Sequence, residues 1–158
     1  MKYFGYYADG RKQNKVNCTL AAIDKMHYIS TRIVDIDGKT EIISAVSPLQ
    51  GSQVAEVFEL ERGINIRYFK ASASPNKVIN AIKRIFNSAR LFIWAYKNIK
   101  QGETVVVYHS LGYMNAFTLL KRVKKFSLIL EVEEIYADVL ENKKLKEIEL
   151  QSIALADA

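Results

Sequence analysis

The sequence predicts an α/β fold with a three-layer, doubly wound and mostly parallel sheet. Short runs rich in β-branched and aromatic residues alternate along the chain with longer segments of helical periodicity. The run 104–108 carries no charge, which is typical of a strand buried on both faces of a parallel sheet. One β-rich insertion interrupts an otherwise regular alternation of strand and helix, the order that doubly wound sheets require.

The first half of the chain supplies four predicted strands and one helix. In order, they are a strand over residues 2–7, a helix over 17–37, a strand over 41–46 and hairpin strands over 57–60 and 64–69. Asn17 suits the N-cap of the helix, and Gly38 marks its end. Gly63 can take the positive φ of a tight hairpin turn. The helical spacing of this segment runs through Leu20, Ile23, Met26, Ser30 and Val34.

The second half alternates helix and strand. The predicted elements are a helix over 76–99, a strand over 104–108, a helix over 113–125, a strand over 127–132 and a helix over 142–155. Pro75 lies where a missing N–H is tolerated at a helix start. On the helix over 113–125, one side is expected to carry Ala116, Phe117, Leu119, Leu120 and Val123. Residues 156–158 lie where a further strand should begin, so we expect the chain to be part of a longer protein.

Composition limits the function classes. The chain has 158 residues, 49% of them hydrophobic, and a net charge of +6, which fits one globular domain over residues 1–158. No apolar run reaches the ~20 residues that span a bilayer, and the N-terminus does not resemble a signal peptide, so a cytoplasmic protein is expected. Cys18 has no cysteine partner. Neither a metal-binding spacing nor a glycine-rich nucleotide loop occurs, so no metal and no cofactor are expected.

Polar side chains follow two neighbouring predicted strands where each ends. His109 directly follows the strand 104–108, and Glu133, Glu134 and Tyr136 follow the strand 127–132. The carboxyl ends of parallel strands joined by a crossover helix meet at one edge of the sheet, where open α/β sheets bind ligands. We therefore expect the histidine and the glutamates to share one crevice. The ordinary alternatives are a histidine satisfied by local backbone and a solvated acidic loop.

The same stretch carries a resemblance to a known family. The segment GETVVVYHSLGYMNAFTLLKRVKKFSLILEVEEIYADV resembles family 4 glycosyltransferases, the group 1 enzymes of the two-domain GT-B architecture. In that family a buried strand ends in a histidine, and the next ends in a motif such as LEVE followed by an aromatic residue. The segment KMHYISTRIVDIDGKTEIISAVSP resembles the family's first helix and second strand. The resemblance implies a Rossmann-like N-terminal half of a GT-B fold.

The resemblance also implies a function. It suggests the acceptor-side half of a retaining glycosyltransferase, which transfers a sugar from a nucleotide sugar to a hydroxyl of a glycan or lipid-linked acceptor. The nucleotide would be held mainly by a C-terminal domain that this chain lacks, so the chain alone is expected to be inactive. The family's first loop usually has a Gly-Gly pair, whereas this chain has Gly10-Arg11.

The chemistry of sugar transfer assigns roles to individual residues. Positive charge develops on the sugar ring and negative charge on the departing diphosphate. His109, by resemblance, and Glu133, as a proton acceptor for the attacking hydroxyl, are the predicted catalytic residues. Four residues are predicted to bind the acceptor and one to contact the donor phosphate. The acceptor-binding residues are Arg11, Asn14, Glu134 and Tyr136, and the phosphate-contacting residue is Gly10.

A basic segment suggests a membrane partner. Between residues 62 and 102 there are nine Lys and Arg and no Asp or Glu. On the helix over 76–99, helical spacing separates an apolar stripe from a basic face that holds Lys83, Arg90, Trp94 and Lys97. A tryptophan among cations suits an anionic membrane surface, which predicts a peripheral position at the inner face of the membrane. A solvated basic face is the ordinary alternative, and a nucleic-acid groove is disfavoured because no aromatic platform lies on strands.

Two other function classes fit parts of the sequence. The residues Tyr108 to Gly112 superficially match the nucleophile elbow of α/β-hydrolases around Ser110, but a tyrosine replaces the first glycine and no histidine follows the serine. A non-catalytic α/β domain that binds a ligand or partner fits the same fold. The sequence therefore leaves a binding domain as the alternative to a transferase half.

Overall fold

The computed structural model of this chain describes residues 1–7, 20–45, 57–69, 74–108, 110–132 and 143–158. These residues form an α/β fold with six strands, paired mostly in parallel, and four helices, which is compatible with a Rossmann-like fold. The chain divides into two compact units, residues 1–91 and 92–158. The predicted fold class is confirmed at this level.

The first unit contains a four-stranded part of the sheet. Its elements are β1 (Lys2–Gly5), α1 (Leu20–Asp37), β2 (Thr40–Ser44), β3 (Val57–Glu61), β4 (Ile64–Tyr68) and the start of α2 (Lys77–Asn98). The strand order is β3-β4-β2-β1. β1 with β2 and β2 with β4 are parallel, whereas β3 and β4 form an antiparallel hairpin. The hairpin is the β-rich insertion that the sequence predicts.

Helix α1 buries three of the residues on the predicted spacing, whereas Val34 is half-buried and Ile33 is buried in its place. Ile23, Met26, Ser30 and Ile33 are buried along one side, at the three- and four-residue intervals of an α-helix. The helix ends because Gly38 adopts a φ of +74°, and its N–H donates to the carbonyl of Val34 over 2.8 Å. The predicted glycine stop is confirmed.

The hairpin turn between β3 and β4 contacts the end of α1. Gly63 has a φ of +88° and its carbonyl accepts the N–H of Thr40 over 2.8 Å. The hairpin also contacts the middle of α1, where Nε2 of His27 lies 3.1 Å from a carboxylate oxygen of Glu61 in β3. His27 thus pairs with a carboxylate of the hairpin.

The second unit contains a parallel strand pair and its helices. After the end of α2 come β5 (Thr104–Tyr108), α3 (Leu111–Val123), β6 (Ser127–Glu131) and α4 (Lys143–Leu155). The strands pair in parallel from Thr104 with Ser127 to Tyr108 with Glu131. The predicted bounds of β5 are confirmed at both ends, and β6 ends one residue earlier than predicted.

The buried face of α3 differs in part from the prediction. Phe117 and Leu120 are buried as expected, but Leu119 and Val123 are more than half exposed. The helix buries Tyr113 and Met114 with Phe117 and Leu120, so the buried face is rotated away from Leu119 and Val123.

The last three residues return to the outer edge of β6. The N–H of Asp157 donates to the carbonyl of Leu128 over 2.7 Å, and the N–H of Leu130 donates to the carbonyl of Ala158 over 2.8 Å. Residues 156–158 thus bond to the backbone of β6, although they are not assigned as the strand that the sequence predicts to begin there. The carboxylate of Asp157 also accepts the N–H of Leu128 over 2.7 Å and pairs with the ammonium of Lys121.

The Asp157 carboxylate should contribute stability that depends on pH. The hydrogen bond from Lys121, and then the N–H of Leu128, lower the pKa of Asp157 below its ordinary value. A lowered pKa stabilises the fold above the unfolded pKa of about 3.9, and this contribution is lost as the pH falls through the folded value. Asp157→Asn should therefore lower the melting temperature at pH 7, and the difference from the parent protein should shrink as the pH falls through the pKa of Asp157.

Thermal unfolding followed by circular dichroism between pH 7 and pH 3 measures this effect. Glu147→Gln is the matched control, because Glu147 is an exposed carboxylate of the same unit. A pH-independent difference between Asp157→Asn and the parent protein would contradict the role of the charge.

Candidate functional site

The predicted site residues fall mainly on segments beyond the described residues. Outside the described ranges lie the residues predicted for catalysis, acceptor binding and phosphate contact: Gly10, Arg11, Asn14, His109, Glu133, Glu134 and Tyr136. The strand ends that precede them in sequence are described. The geometry of the site is therefore given by the ends of β5 and β6 and by the start of α3.

Two strand ends meet in register at one edge of the second unit. Tyr108 ends β5 and Glu131 ends β6, and the two residues are Cα partners across the parallel pair. Directly paired residues of neighbouring strands project to the same face of a sheet. His109 follows Tyr108 in sequence, and Glu133 follows Glu131 by two positions. In sequence, the two predicted catalytic residues therefore follow neighbouring strand ends on one edge of the sheet.

Ser110 completes this edge, and we name Tyr108, Ser110 and Glu131 together the β5–β6 rim. Ser110 is buried and precedes α3, and its carbonyl accepts the N–H groups of Tyr113 and Met114 over 3.1 and 3.0 Å. Tyr108 and Glu131 are half-buried, and Oε1 of Glu131 is shielded from solvent. The rim therefore combines a phenol, a hydroxyl and a carboxylate in a partly dry setting.

The N-terminus of α3 adds a favourable field to the rim. The helix has 13 residues, no acidic residue in its first turn, and Lys121 and Arg122 in its last turn. Its N-terminal N–H groups carry the positive end of the helix dipole, which favours negative charge nearby. Carboxylates and hydroxyls hydrogen-bond sugar hydroxyls well, so the arrangement suits a polyhydroxylated ligand that carries or develops negative charge.

The backbone of Ser110 does not support a serine nucleophile. A nucleophile elbow holds its serine in a sharp, strained turn between strand and helix. Ser110 instead has φ −151° and ψ 150°, which is ordinary extended backbone, and its side chain makes no capping hydrogen bond. The geometry gives no reason to prefer the hydrolase interpretation.

The first unit has a matching strand edge with a structural role. Gly5, Ser44 and Tyr68 are in register at the carboxyl ends of β1, β2 and β4. The buried Ser44 hydroxyl donates to the carbonyl of Tyr7 over 2.7 Å, which fixes the backbone just after β1. The loop predicted to contact the acceptor and the donor phosphate follows Tyr7 in sequence. The bond thus holds the backbone at Tyr7, the last described residue before residue 20.

The residues predicted to face a membrane are placed on α2. Arg90 and Lys97 are exposed, whereas Lys83 and Trp94 are half-buried. No helix of the described segments combines the length and apolar character needed to cross a bilayer. Within the same segments, no three His, Cys, Asp or Glu side chains form a group that could hold a metal ion.

Glu131 is the rim residue that sequence reasoning missed. The predicted strand extends to residue 132 and so includes Glu131, and the predicted site roles fall on the glutamates that follow it. A carboxylate that closes the apolar run Leu128 to Leu130 was the available signal, since a strand end is where polarity changes. Ser110 was considered only as a nucleophile, and its place before a helix was the signal for a rim position.

Comparisons with known proteins do not add a functional assignment. No family model matches this chain, and a search of curated proteins gave no significant match. An assignment therefore rests on the residues of the chain and on the geometry of the rim.

Proposed function

We propose that this chain is the acceptor-binding half of a retaining glycosyltransferase that moves a sugar from a nucleotide sugar to a hydroxyl of a glycan or lipid-linked acceptor. The resemblance of residues 102–139 to group 1 glycosyltransferases motivates the proposal. The observation that carries it is the parallel pairing of β5 and β6, with Tyr108 and Glu131 in register at the edge from which the His109 and Glu133 segments leave.

The roles of the rim residues follow from the chemistry of the reaction. An attacking hydroxyl must be oriented and must lose a proton, and carboxylates such as Glu131 and Glu133 hydrogen-bond or accept protons from hydroxyls. His109 would position a sugar hydroxyl near the reacting carbon. The N-terminus of α3 would favour the negative charge that develops on the leaving diphosphate. The nucleotide itself would be bound mainly by a second, donor-binding domain.

A peripheral position at the inner face of the membrane belongs to the same proposal. A lipid-linked acceptor is presented at a bilayer surface, and the basic residues Lys83, Arg90 and Lys97, together with Trp94, lie along α2. Cations near an anionic bilayer are attracted to it, each by about 1 kcal/mol. Such a position would suit a protein whose acceptor is held in a bilayer.

Ligand titration of the isotope-labelled chain, followed by amide resonances, tests the assignment. The probes are a panel of short glycans, a short-chain polyprenyl phosphate and nucleotide sugars. We expect an acceptor-type probe to shift the resonances of Tyr108, Ser110 and Glu131. We expect Glu131→Gln to weaken that response about tenfold, which corresponds to the loss of one charge-assisted hydrogen bond of about 1.4 kcal/mol.

Glu147→Gln, on the exposed surface of α4, is the control and should leave the titration unchanged. Two results would overturn the proposal. One is tight binding of a nucleotide sugar to this chain alone, because the donor site would then be misplaced. The other is an absence of rim responses to every probe in the panel.

A further inference from the structure

The outward side of α2 is apolar over its first three turns. Val78, Ile85 and Phe86 are 66%, 70% and 66% exposed, and Ile79 and Ile82 are about half exposed. We name these five side chains the α2 stripe. Val78, Ile82 and Ile85 follow one another at intervals of four and three residues, so they lie on one line along the helix. Soluble surfaces rarely carry so many adjacent large apolar side chains without a partner.

The inward side of the same segment is more polar than the stripe. Asn80 and Asn87 are half-buried and Leu91 is buried, again at helical spacing. The side chain of Asn80 accepts the N–H of Ser74 over 2.8 Å and donates to its carbonyl, which fixes the start of the helix. An amphipathic helix normally buries its apolar side. In this part of α2 the apolar side is exposed and the more polar side faces inward. This arrangement indicates that the stripe contacts an apolar surface outside this chain.

The positive charge of α2 indicates which kind of surface the stripe can contact. The helix has five basic residues and no acidic residue: Lys77, Lys83, Arg84, Arg90 and Lys97. Lys83, Arg90 and Lys97 recur every seven residues, in step with Ile79 and Phe86, so the cation row runs alongside the stripe. A helix that lies in a lipid interface combines an apolar face with basic residues at its border.

We infer that α2 docks this chain onto an anionic lipid surface by inserting the α2 stripe among the acyl chains, with Arg90 at headgroup level. The inference deepens the peripheral position proposed above, but it does not depend on sugar transfer. It assigns the anchoring to exposed aliphatic and phenylalanine side chains, whereas Trp94 is half-buried and lies off the stripe. The helix is not apolar enough to cross the bilayer, so it lies along the surface.

The charge pattern favours lipid over a second copy of the chain. A symmetric contact between two copies would place the same patch on both sides. Two α2 helices in contact would therefore bring two sets of cations together without a carboxylate on either helix. An anionic bilayer instead supplies the opposite charge along the whole cation row and an apolar interior beneath it.

Sedimentation with vesicles tests the inference. The wild-type chain and the variant Ile82→Gln/Ile85→Gln are mixed with vesicles of phosphatidylcholine, with or without phosphatidylglycerol. Both substitutions keep the charge, so a difference reports insertion alone. We expect binding to the anionic vesicles that the stripe variant weakens about tenfold or more. Arg90→Gln and added salt should weaken it to a smaller extent, since salt screens exposed charges.

Leu119→Gln/Leu150→Gln is the matched control, because it removes two similarly exposed leucines from other helices. It should bind vesicles as the wild type does. Melting temperatures confirm that each variant is folded, and sedimentation velocity gives the oligomeric state without lipid. The inference is overturned by unchanged vesicle binding of the stripe variant, by no binding of the wild type, or by a dimer that the stripe substitutions dissociate.

If vesicle binding fails while rim titrations succeed, the docking inference and the peripheral position are wrong, and the acceptor-binding role stands. If the reverse holds, the transferase proposal fails and the docking surface remains.

Discussion

Phe117→Ala should lower the free energy of unfolding by about 3–5 kcal/mol, the usual cost of removing a buried aromatic ring. Phe117 is 2% exposed in the middle of α3, and its ring lies 6.3 Å, centroid to centroid, from the ring of the buried Tyr113. The substitution removes apolar contacts and leaves a cavity beside neighbours that cannot fully collapse into it. Urea unfolding followed by circular dichroism at 222 nm is the measurement.

Leu119→Ala provides the control on the same helix. Leu119 is 51% exposed, so its truncation should change stability by no more than about 0.5 kcal/mol. Both variants introduce alanine two positions apart, so helix propensity changes little between them. Similar losses for the two variants would show that α3 does not bury the Phe117 face.

Gly63→Ala should lower the free energy of unfolding by more than about 2 kcal/mol. A residue with a Cβ pays about 1–2 kcal/mol for the left-handed backbone that the φ of +88° requires. A Cβ at this position would also lie 2.9 Å from the carbonyl oxygen of Gly38 and 3.1 Å from Cγ1 of Val34. Because the first of these atoms belongs to the backbone, the hairpin turn must move away from the end of α1.

Gly38→Ala separates the two causes. Gly38 has a similar φ of +74°, but nothing lies within 4 Å of the Cβ that alanine would add. It should therefore show only the cost of the left-handed backbone. Chemical denaturation of both variants gives the comparison, and equal losses would rule out a close contact between the hairpin turn and α1.

Much of the fold could be predicted because its signals are local. The uncharged run 104–108 gave both ends of β5, and glycines marked the end of α1 and the turn of the hairpin. Ile23, Met26 and Ser30 were found on the buried face of α1 from spacing alone. These features follow from backbone geometry and from the separation of polar and apolar residues.

Two features could not be predicted because they depend on tertiary packing. Helical spacing identifies an apolar stripe on α2 but does not say which side meets the sheet, and the structure exposes Val78 and Ile85. The end of β6 at Glu131 depends on how far β5 extends beside it, since Tyr108 is the last paired residue. Both outcomes are set by neighbouring elements rather than by the segment itself.

The hairpin has a consequence for the behaviour of the protein at high concentration. Among the described strands, β3 is the edge strand at one end of the sheet. An edge strand can serve as a template for pairing with another chain. Its register shifts between Glu59 and Glu61, and both carboxylates are exposed. A β-bulge breaks the even spacing that a foreign strand would need, and like charges would repel an identical edge. The bulge and the exposed carboxylates of β3 are therefore expected to disfavour edge-to-edge pairing between copies of this chain.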